Sequence, residues 1–277
     1  MIYQNYYSYE FIFTKKSIFF LLLVIMFSCK RYEDIPRNMG FNSSNTSTDL
    51  TNFNFYPSST YNEIIYHDNY RLSYAEKYEQ AEWVAYELKK SHINTINNFD
   101  RPFFIEDPKV KSGSADWRNY KQSGYDKGHF CPAGDRKFSK DAFDETFYTS
   151  NIAPQRRVFN NGVWNRLEQK VRYWAIKYDG IYVVTGGVFS KNMKTIGDEN
   201  VAVPEVFYKV LLDTSQNETK MIAFAVPHED SDKPLYKFVI TVDDLEKITG
   251  IDFFPNLNDN LEQKLESNAN YKSWSFK

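Results

Sequence analysis

Strand-like and helix-like patterns follow one another in this chain without the regular strand–helix–strand alternation of a parallel sheet. Strand patterns lie at residues 63–73, 180–187, 206–213 and 221–227. Helix patterns lie at residues 80–90, 160–173 and 241–249, and Gly250 ends the last of them. Successive parallel strands need a crossover helix between them. We therefore expect an α+β fold in which helices flank a mostly antiparallel central sheet.

The composition is that of a globular protein with a large core. The chain has 277 residues, 18% of them aromatic, and its net charge is −2. Aromatic rings bury large apolar areas, so many should lie in the core. The chain as a whole lacks the basic charge of a tight sequence-specific DNA binder. Residues 101–140, however, hold nine basic and five acidic side chains, a local charge of +4 that is typical of a cleft for an anion.

The N-terminal segment has the order of a secretory signal. Lys15 and Lys16 precede the apolar run 18–27, and Ser28 and Cys29 follow it. The run is too short to span a bilayer, for which about 20 residues are needed. Cys29 resembles the acylated cysteine of bacterial lipoproteins. This predicts a lipoprotein-type signal peptide at 1–29, export across the inner membrane and a lipid anchor in the cell envelope. The alternative is a short buried helix or strand.

Two further segments follow the predicted signal peptide. Residues 30–60 are rich in Asn, Ser and Thr and have no helix or strand periodicity, so we interpret them as a flexible tether. Residues 61–277 form the predicted folded domain. If Cys29 carries a lipid, Cys131 is a lone thiol; on counting alone, the two cysteines allow one disulfide.

Residues 123–135 (SGYDKGHFCPAGD) contain a candidate general base. Hydrolysis of a phosphodiester needs a group that takes a proton from water near neutral pH, and the ordinary pKa of histidine suits that task. His129 is the candidate. Cations must also offset the charge on the phosphate, and Lys127 together with a metal ion would supply them. The alternative is a histidine in a surface loop without a role in catalysis.

Residues 149–168 (TSNIAPQRRVFNNGVWNRLE) contain amide and carboxylate oxygens at Asn151, Asn160 and Glu168. Oxygens of this kind suit magnesium, which keeps most of its waters. Glu168 lies eight residues after Asn160, which is about 12 Å along a regular helix. We therefore expect Glu168 to reach back to a metal-bound water instead of sharing the ion with Asn160.

These motifs resemble those of the DNA/RNA non-specific endonucleases of the ββα-metal, or His-metal finger, class, which are related to mitochondrial endonuclease G. The matching motifs are Asp-Lys-Gly-His at 126–129, Ser-Asn-Ile-Ala-Pro-Gln at 150–155, and the Asn, Trp, Leu and Glu of 160–168. Looser matches extend the resemblance to residues 62–260. The resemblance implies a ββα-metal finger active site that uses Mg²⁺ or another divalent ion such as Mn²⁺. It also implies DNA and RNA substrates cut largely independently of sequence.

The resemblance implies a role for each matching residue. His129 would activate water, Asn160 would be the one direct protein ligand of the metal, and Arg101 would bind phosphate. Asn151 and Glu168 would hold the water shell of the metal. Lys127 stands where the family usually has arginine, and a lysine cannot form a two-pronged contact with phosphate. Asp126 and Gly128 would be structural or orienting.

Two other functions stay open at this point. One is a catalytically inactive, nucleic-acid-binding surface lipoprotein of the same fold; the other is a lipid-anchored glycan-binding protein, suggested by the aromatic content. A Cys131–His129 dyad is a further alternative for the site. We expect His67 and His228 to be structural, and Trp164 to lie in the core.

Overall fold

The computed structural model of the protein describes residues 54–95, 97–214 and 219–276. The predicted signal peptide, Cys29 and the tether up to residue 53 lie outside these residues. Within the described part, no helix is both long enough and apolar enough to cross a membrane.

A seven-stranded antiparallel sheet forms the centre of the fold, as the strand patterns predict. Its order is β1-β2-β3-β6-β9-β10-β11. The strands are β1 (Ile64–Tyr66), β2 (Arg71–Ala75), β3 (Gln80–Lys89), β6 (Gly180–Gly187), β9 (Val206–Asp213), β10 (Lys220–Pro227) and β11 (Val239–Ile240). Four strands lie outside this sheet in two hairpins, namely β4 (Asp126–His129) with β5 (Ile152–Gln155), and β7 (Lys194–Ile196) with β8 (Val201–Val203).

The helices are short apart from one. They are α1 (Lys90–Asn94), α2 (Lys140–Glu145), α3 (Arg157–Phe159), α4 (Asn165–Lys177), α5 (Val242–Thr249) and α6 (Asp259–Glu266). Single 3₁₀ turns lie at Glu76–Tyr78, Trp117–Tyr120, Ala133–Asp135, Thr149–Asn151, Leu235–Phe238 and Tyr271–Ser273. The predicted helix 241–249 is confirmed: Thr241 caps its first turn, and Gly250 ends it in the left-handed conformation (φ 74°).

Both faces of the central sheet are buried. On one face, Phe207 and Leu211 of β9 pack in the same cluster as Leu167 and Trp174 of α4. On the other face, Tyr208, Val210 and Leu212 of β9 share a cluster with the apolar side of α5 and α6, including Leu245 and Leu265. Alternate residues of one strand therefore face two different cores.

The predicted helix at residues 80–90 is wrong, because this segment is strand β3. Trp83 and Tyr86, three residues apart, suggested one helical face. In the structure they lie in the two opposite cores, Tyr86 on the side of α4 and Trp83 on the side of α5. β3 also buries the polar side chains Gln80 and Glu82, so its polar positions do not mark an exposed face and it lacks the alternation by which a half-buried strand is recognised.

The segment from 126 to 177 forms a hairpin followed by a helix. β4 pairs with β5, with His129 opposite Ile152, and α3 and α4 come next in the chain. Between these two helices, Asn160–Trp164 form one wide π-helical turn, in which Gly162 departs from helical backbone angles (φ −94°, ψ −113°). This ββα unit confirms the expected arrangement, although the helix predicted at 160–173 is not regular over its first turn.

The folded domain begins earlier than the boundary predicted at residue 61. Phe55 is buried and stacks on Tyr182 of the central sheet. The Thr60 hydroxyl donates a 2.5 Å hydrogen bond to Glu82, and the Trp83 indole donates one of 2.8 Å to the carbonyl of Ser58. Residues 54–60 thus belong to the packed domain, although their composition resembles that of the tether before them.

Candidate active site

One cavity brings together four of the predicted site residues. It has a volume of about 330 Å³ and opens between the 126–129 strand and the start of α4. Its lining residues are Phe99, Arg101, His129, Pro132, Ala133, Gly134, Lys137, Phe143, Asn160, Glu168 and Arg172. A second cavity of about 650 Å³, lined by Asp116 and Glu199 among others, contains none of the predicted site residues.

His129 lies at the end of β4 between two aromatic rings. Its imidazole centroid is 5.6 Å from that of Phe104 and 5.3 Å from that of Phe147. Its Nε2 atom is enclosed and has no hydrogen-bond partner among the described residues. Burial, and then the positive charge of Arg101, lower the pKa of His129 to about 3. The imidazole is therefore neutral at neutral pH and able to accept a proton.

Gly128 is needed because a buried side chain occupies the space beside it. A Cβ atom at Gly128 would lie 2.2 Å from Cδ of Gln155, a distance that real side chains do not reach. Gln155 is fully buried on the paired strand β5. Asp126 forms an ion pair with Arg157, 3.0 Å between Oδ1 and Nη2. The Asp126 carboxylate is thus engaged by Arg157 and not by His129, and the structural or orienting role of both positions stays a prediction.

Asn160 and Glu168 face the cavity with free oxygens. Among the described residues, neither side chain makes a hydrogen bond, and both line the same wall. Burial raises the pKa of Glu168 to about 7, against the opposing charges of Lys209 and Arg172. The 12 Å estimate for a regular helix does not describe this pair, because the wide turn at Gly162 separates them.

Two cations near Glu168 were missed by the sequence analysis. Lys209, on the central strand β9, is fully buried; its Nζ atom lies 3.2 Å from the Thr185 hydroxyl and 4.6 Å from the centroid of the Trp164 ring. Arg172 lines the cavity and forms an ion pair of 2.7 Å with Asp135. Arg172 follows Glu168 by four residues on α4, the spacing of neighbours on a helix face, so a search at that spacing would have found it. Lys209 falls within one of the looser family matches, Phe207-Tyr208-Lys209, but the match implied no role for it.

Asn151 is placed away from the expected metal water shell. Its side chain is completely buried, and all of its polar groups bond to the backbone. The amide oxygen accepts from the Cys131 nitrogen at 2.8 Å, and the amide nitrogen donates to the carbonyls of Cys131 and Thr146, each at 3.0 Å. The structure therefore corrects the predicted role: Asn151 fixes the backbone that follows His129, and it does not line the cavity.

Arg101 and Lys127 lie against different aromatic rings. The Arg101 guanidinium lines the cavity over Phe147, 5.3 Å from the ring centroid. The Lys127 ammonium lies 5.3 Å from the centroid of Phe104 and is also close to the rings of Trp117 and Tyr120. Arg101 is thus positioned to bind an anion in the cavity. The phosphate contact of Lys127 stays a prediction, because its ammonium is outside the cavity lining.

The remaining thiol and imidazoles have structural surroundings. Cys131 is buried as a free thiol, and burial raises its pKa to about 12, so it cannot act as a thiolate beside His129. His67 bonds to Asp107 in the interior, 2.8 Å between Nε2 and Oδ2. His228 accepts a 2.6 Å hydrogen bond from the backbone nitrogen of Arg156.

The donor set of the cavity fits a hard divalent cation. The Asn160 amide oxygen and the Glu168 carboxylate are unengaged, half-buried oxygen donors at one wall. Such ions take oxygen ligands, and magnesium retains waters beside one or two protein groups. Asn160 would bind the ion directly, and Glu168 would hold its waters.

Comparison with known proteins agrees with this geometry. Residues 47–260 match the family model described as DNA/RNA non-specific endonuclease. The mouse protein named mitochondrial nuclease EXOG is 36% identical over 69% of this chain, and human mitochondrial endonuclease G is 31% identical over 69%. The matched part spans 56% of the length of mouse EXOG and 69% of that of human endonuclease G. In both relatives, therefore, part of the sequence lies outside the match.

A fungal relative and a solved structure show the same likeness. Nuclease C1 of Cunninghamella echinulata var. echinulata is 34% identical over 72% of this chain and 85% of its own length. One chain in a crystal structure of the EndoG/EndoGI complex superposes with a TM-score of 0.66 at 30% identity, over 71% of this chain and 87% of that chain.

We predict that Asn151→Ala destabilises the protein, whereas Asn160→Ala does not. Removal of the Asn151 amide leaves three buried backbone groups without partners, and each costs about 1–3 kcal/mol. Asn160 makes no side-chain hydrogen bond among the described residues. Urea unfolding of the parent and both variants in chelator checks this. Equal midpoints for the parent and Asn151→Ala would contradict the role in fixing the backbone.

We predict that His129 makes the metal-free protein less stable as the pH falls below about 6.5. The unfolded imidazole has its ordinary pKa of about 6.5, whereas the pKa of His129 in the folded protein is about 3. Between these values the unfolded state binds more protons, so the free energy of unfolding decreases with falling pH. Urea unfolding at pH 7 and 4.5 should show a smaller loss for His129→Asn than for the parent. Asn160→Ala removes no titrating group, so its free energy of unfolding should fall between pH 7 and 4.5 by as much as that of the parent.

Proposed function

Because the chain belongs to the DNA/RNA non-specific endonuclease family, we propose that it is a metal-dependent endonuclease that hydrolyses the phosphodiester bonds of DNA and RNA. One observation carries the proposal. A neutral imidazole at His129 opens onto the same cavity as the unengaged oxygens of Asn160 and Glu168 and the guanidinium of Arg101. The alternative function, an inactive nucleic-acid-binding protein of this fold, is not supported, because the cavity keeps all four groups.

The imidazole of His129 would take the proton of the attacking water. Its neutral state makes a nitrogen lone pair available, and its position between Phe104 and Phe147 restricts the ring to one place. Asn151 holds the backbone after His129, and Gly128 allows the hairpin to pack on Gln155. Proton transfer by a positioned group contributes about 10²–10⁴-fold to a rate.

Arg101 would bind the phosphate, and the oxygens of Asn160 in the wide turn and Glu168 on α4 would hold a cation in the same cavity. The Arg101 guanidinium can donate two parallel hydrogen bonds to phosphate oxygens. Asn160 and Glu168 would hold a divalent cation, Mg²⁺ or Mn²⁺, which when bound offsets the charge that builds on the phosphate oxygens. Lys209 and Arg172 stabilise the ionised form of Glu168 against its burial.

The same site would accept DNA and RNA. Water as the nucleophile makes the 2′-hydroxyl of RNA unnecessary. Contacts with phosphate hold a nucleic acid without reading its sequence, and the segment 101–140 supplies the basic charge for them. In this view, the protein binds its substrate only through the sugar–phosphate backbone of the nucleic acid.

We predict that cleavage requires both a divalent metal and His129. Plasmid DNA and a structured RNA are incubated with the protein in Mg²⁺, with and without chelator. Chelator should abolish cleavage, and His129→Ala should reduce kcat/KM by at least about 10²-fold, because the proton acceptor is lost. His92→Ala is the matched control, since His92 stacks on Phe138 outside the cavity lining. Full activity of His129→Ala would overturn its assignment as general base.

The place of the enzyme in the cell is also part of the proposal. Lys15, Lys16, the apolar run 18–27 and Cys29 support export and acylation, with the protein held by lipid in the cell envelope. We predict that Cys29→Ser moves the protein from the detergent-extracted membrane fraction to the soluble fraction of the envelope. Cys131→Ser is the control, because this thiol is buried in the folded domain. An unchanged distribution of Cys29→Ser would contradict the lipid anchor.

A further inference from the structure

Five carboxylates converge where helices α5 and α6 meet, far along the chain from the catalytic residues. They form two groups of three that share Glu266: one contains Asp243 and Glu246 of α5, and the other contains Asp252 and Glu262. In each group, one oxygen from every residue lies within 4.8 Å of the others. Like charges at this separation repel one another unless a cation or protons neutralise them.

The shared carboxylate at the centre is buried without a partner. Glu266 is only 7% exposed, and its Oε1 atom is enclosed and makes no hydrogen bond to any described residue. Oε1 of Glu262 is enclosed in the same way. A buried carboxylate oxygen that lacks a partner costs free energy, so these two oxygens indicate that the group is incomplete without a ligand.

No basic side chain neutralises the group. Among the described residues, none of the five acids forms an ion pair within 4.0 Å; the nearby Lys247 is paired with Asp244 instead. Leu265 packs in the core beneath, and Glu246 accepts a 2.8 Å hydrogen bond from the backbone nitrogen of Phe253. Burial, followed by the charges of Glu246 and Glu262, raises the pKa of Glu266 to about 8.

We propose that this cluster binds one Ca²⁺ ion that joins α5, the loop at Asp252 and α6. Calcium takes six to eight oxygen ligands in flexible geometry and accepts several carboxylates at once, whereas magnesium keeps its waters and uses one or two. The two groups overlap at Glu266, so an ion bound beside this carboxylate would have two further carboxylates of either group close to it. This inference goes beyond the proposed nuclease activity and does not depend on it.

The ion would act on stability and not on catalysis. α5 and α6 lie on the face of the sheet that carries Tyr208 and Val210, whereas α4 and the cavity lie over the other face. The loop between the two helices buries Phe253 and Phe254 completely, and Phe254 adopts a left-handed backbone conformation (φ 58°). A cation beside Asp252 would hold this loop, and with it two aromatic side chains, against the sheet.

The test is calcium binding by isothermal titration calorimetry, on the chelator-treated full-length chain. The background variant is Asn160→Ala, which disables the proposed catalytic metal position, so that the remaining Ca²⁺ is assigned to the cluster. We expect one Ca²⁺ per chain. Saturating Ca²⁺ should also raise the melting temperature by about 5 °C or more at a hundredfold excess over Kd.

Two variants of the cluster and one control complete the design. Glu266→Gln and the more exposed Glu262→Gln, each in the Asn160→Ala background, should lose the calorimetric site and the calcium-dependent rise in melting temperature. Asp244→Asn, on the same helix but paired with Lys247, should retain both. The proposal is overturned if the Asn160→Ala protein binds no Ca²⁺, if both glutamine variants bind as it does, or if Mg²⁺ competes on equal terms.

Discussion

Helices and loops cover both faces of the central sheet, so each polar side chain on its inner strands must find a partner inside the protein. Lys209 is the clearest example. Its ammonium has one hydrogen bond, to Thr185, and lies over the ring of Trp164. The charge of Glu168 compensates for its burial, and the charge of Lys209 in turn favours the ionised form of Glu168. The ionised forms of Lys209 in the central sheet and Glu168 in the cavity therefore stabilise each other.

A second charged residue, Arg172 of α4, is also linked to the central sheet through a buried partner. Arg172 pairs with Asp135, which also accepts a 3.0 Å hydrogen bond from the Tyr86 hydroxyl on β3. Charged groups that are partly buried hold their geometry because their alternatives in the interior are costly. The part of the cavity wall that α4 forms is thus held in place by contacts with the sheet. Asn160 lies in the wide turn at Gly162, outside the regular helix, and lines the cavity.

Sequence patterns predicted the fold where only local chemistry was needed. The helix pattern of 241–249 and the Gly250 stop gave α5 correctly, and the motif residues His129, Asn160 and Glu168 line one cavity. β3 was misread because its polar side chains Gln80 and Glu82 are buried, so no exposed polar face marks the segment as a strand. Asn151 and Lys209 were assigned wrongly or missed, since their roles depend on contacts between segments that are distant in sequence, which one sequence does not record.

The cavity is assembled from pieces that are far apart along the chain. Arg101 comes from a loop, His129 from strand β4, Asn160 from the wide turn and Glu168 from α4, and Lys209 lies beneath them on the central sheet. An unfolded polypeptide holds none of these groups together. If the chain crosses a membrane unfolded, as the proposed export implies, the groups of the proposed nuclease site come together only after transport, so the nucleic acids of the cell that makes the chain are not exposed to an assembled site.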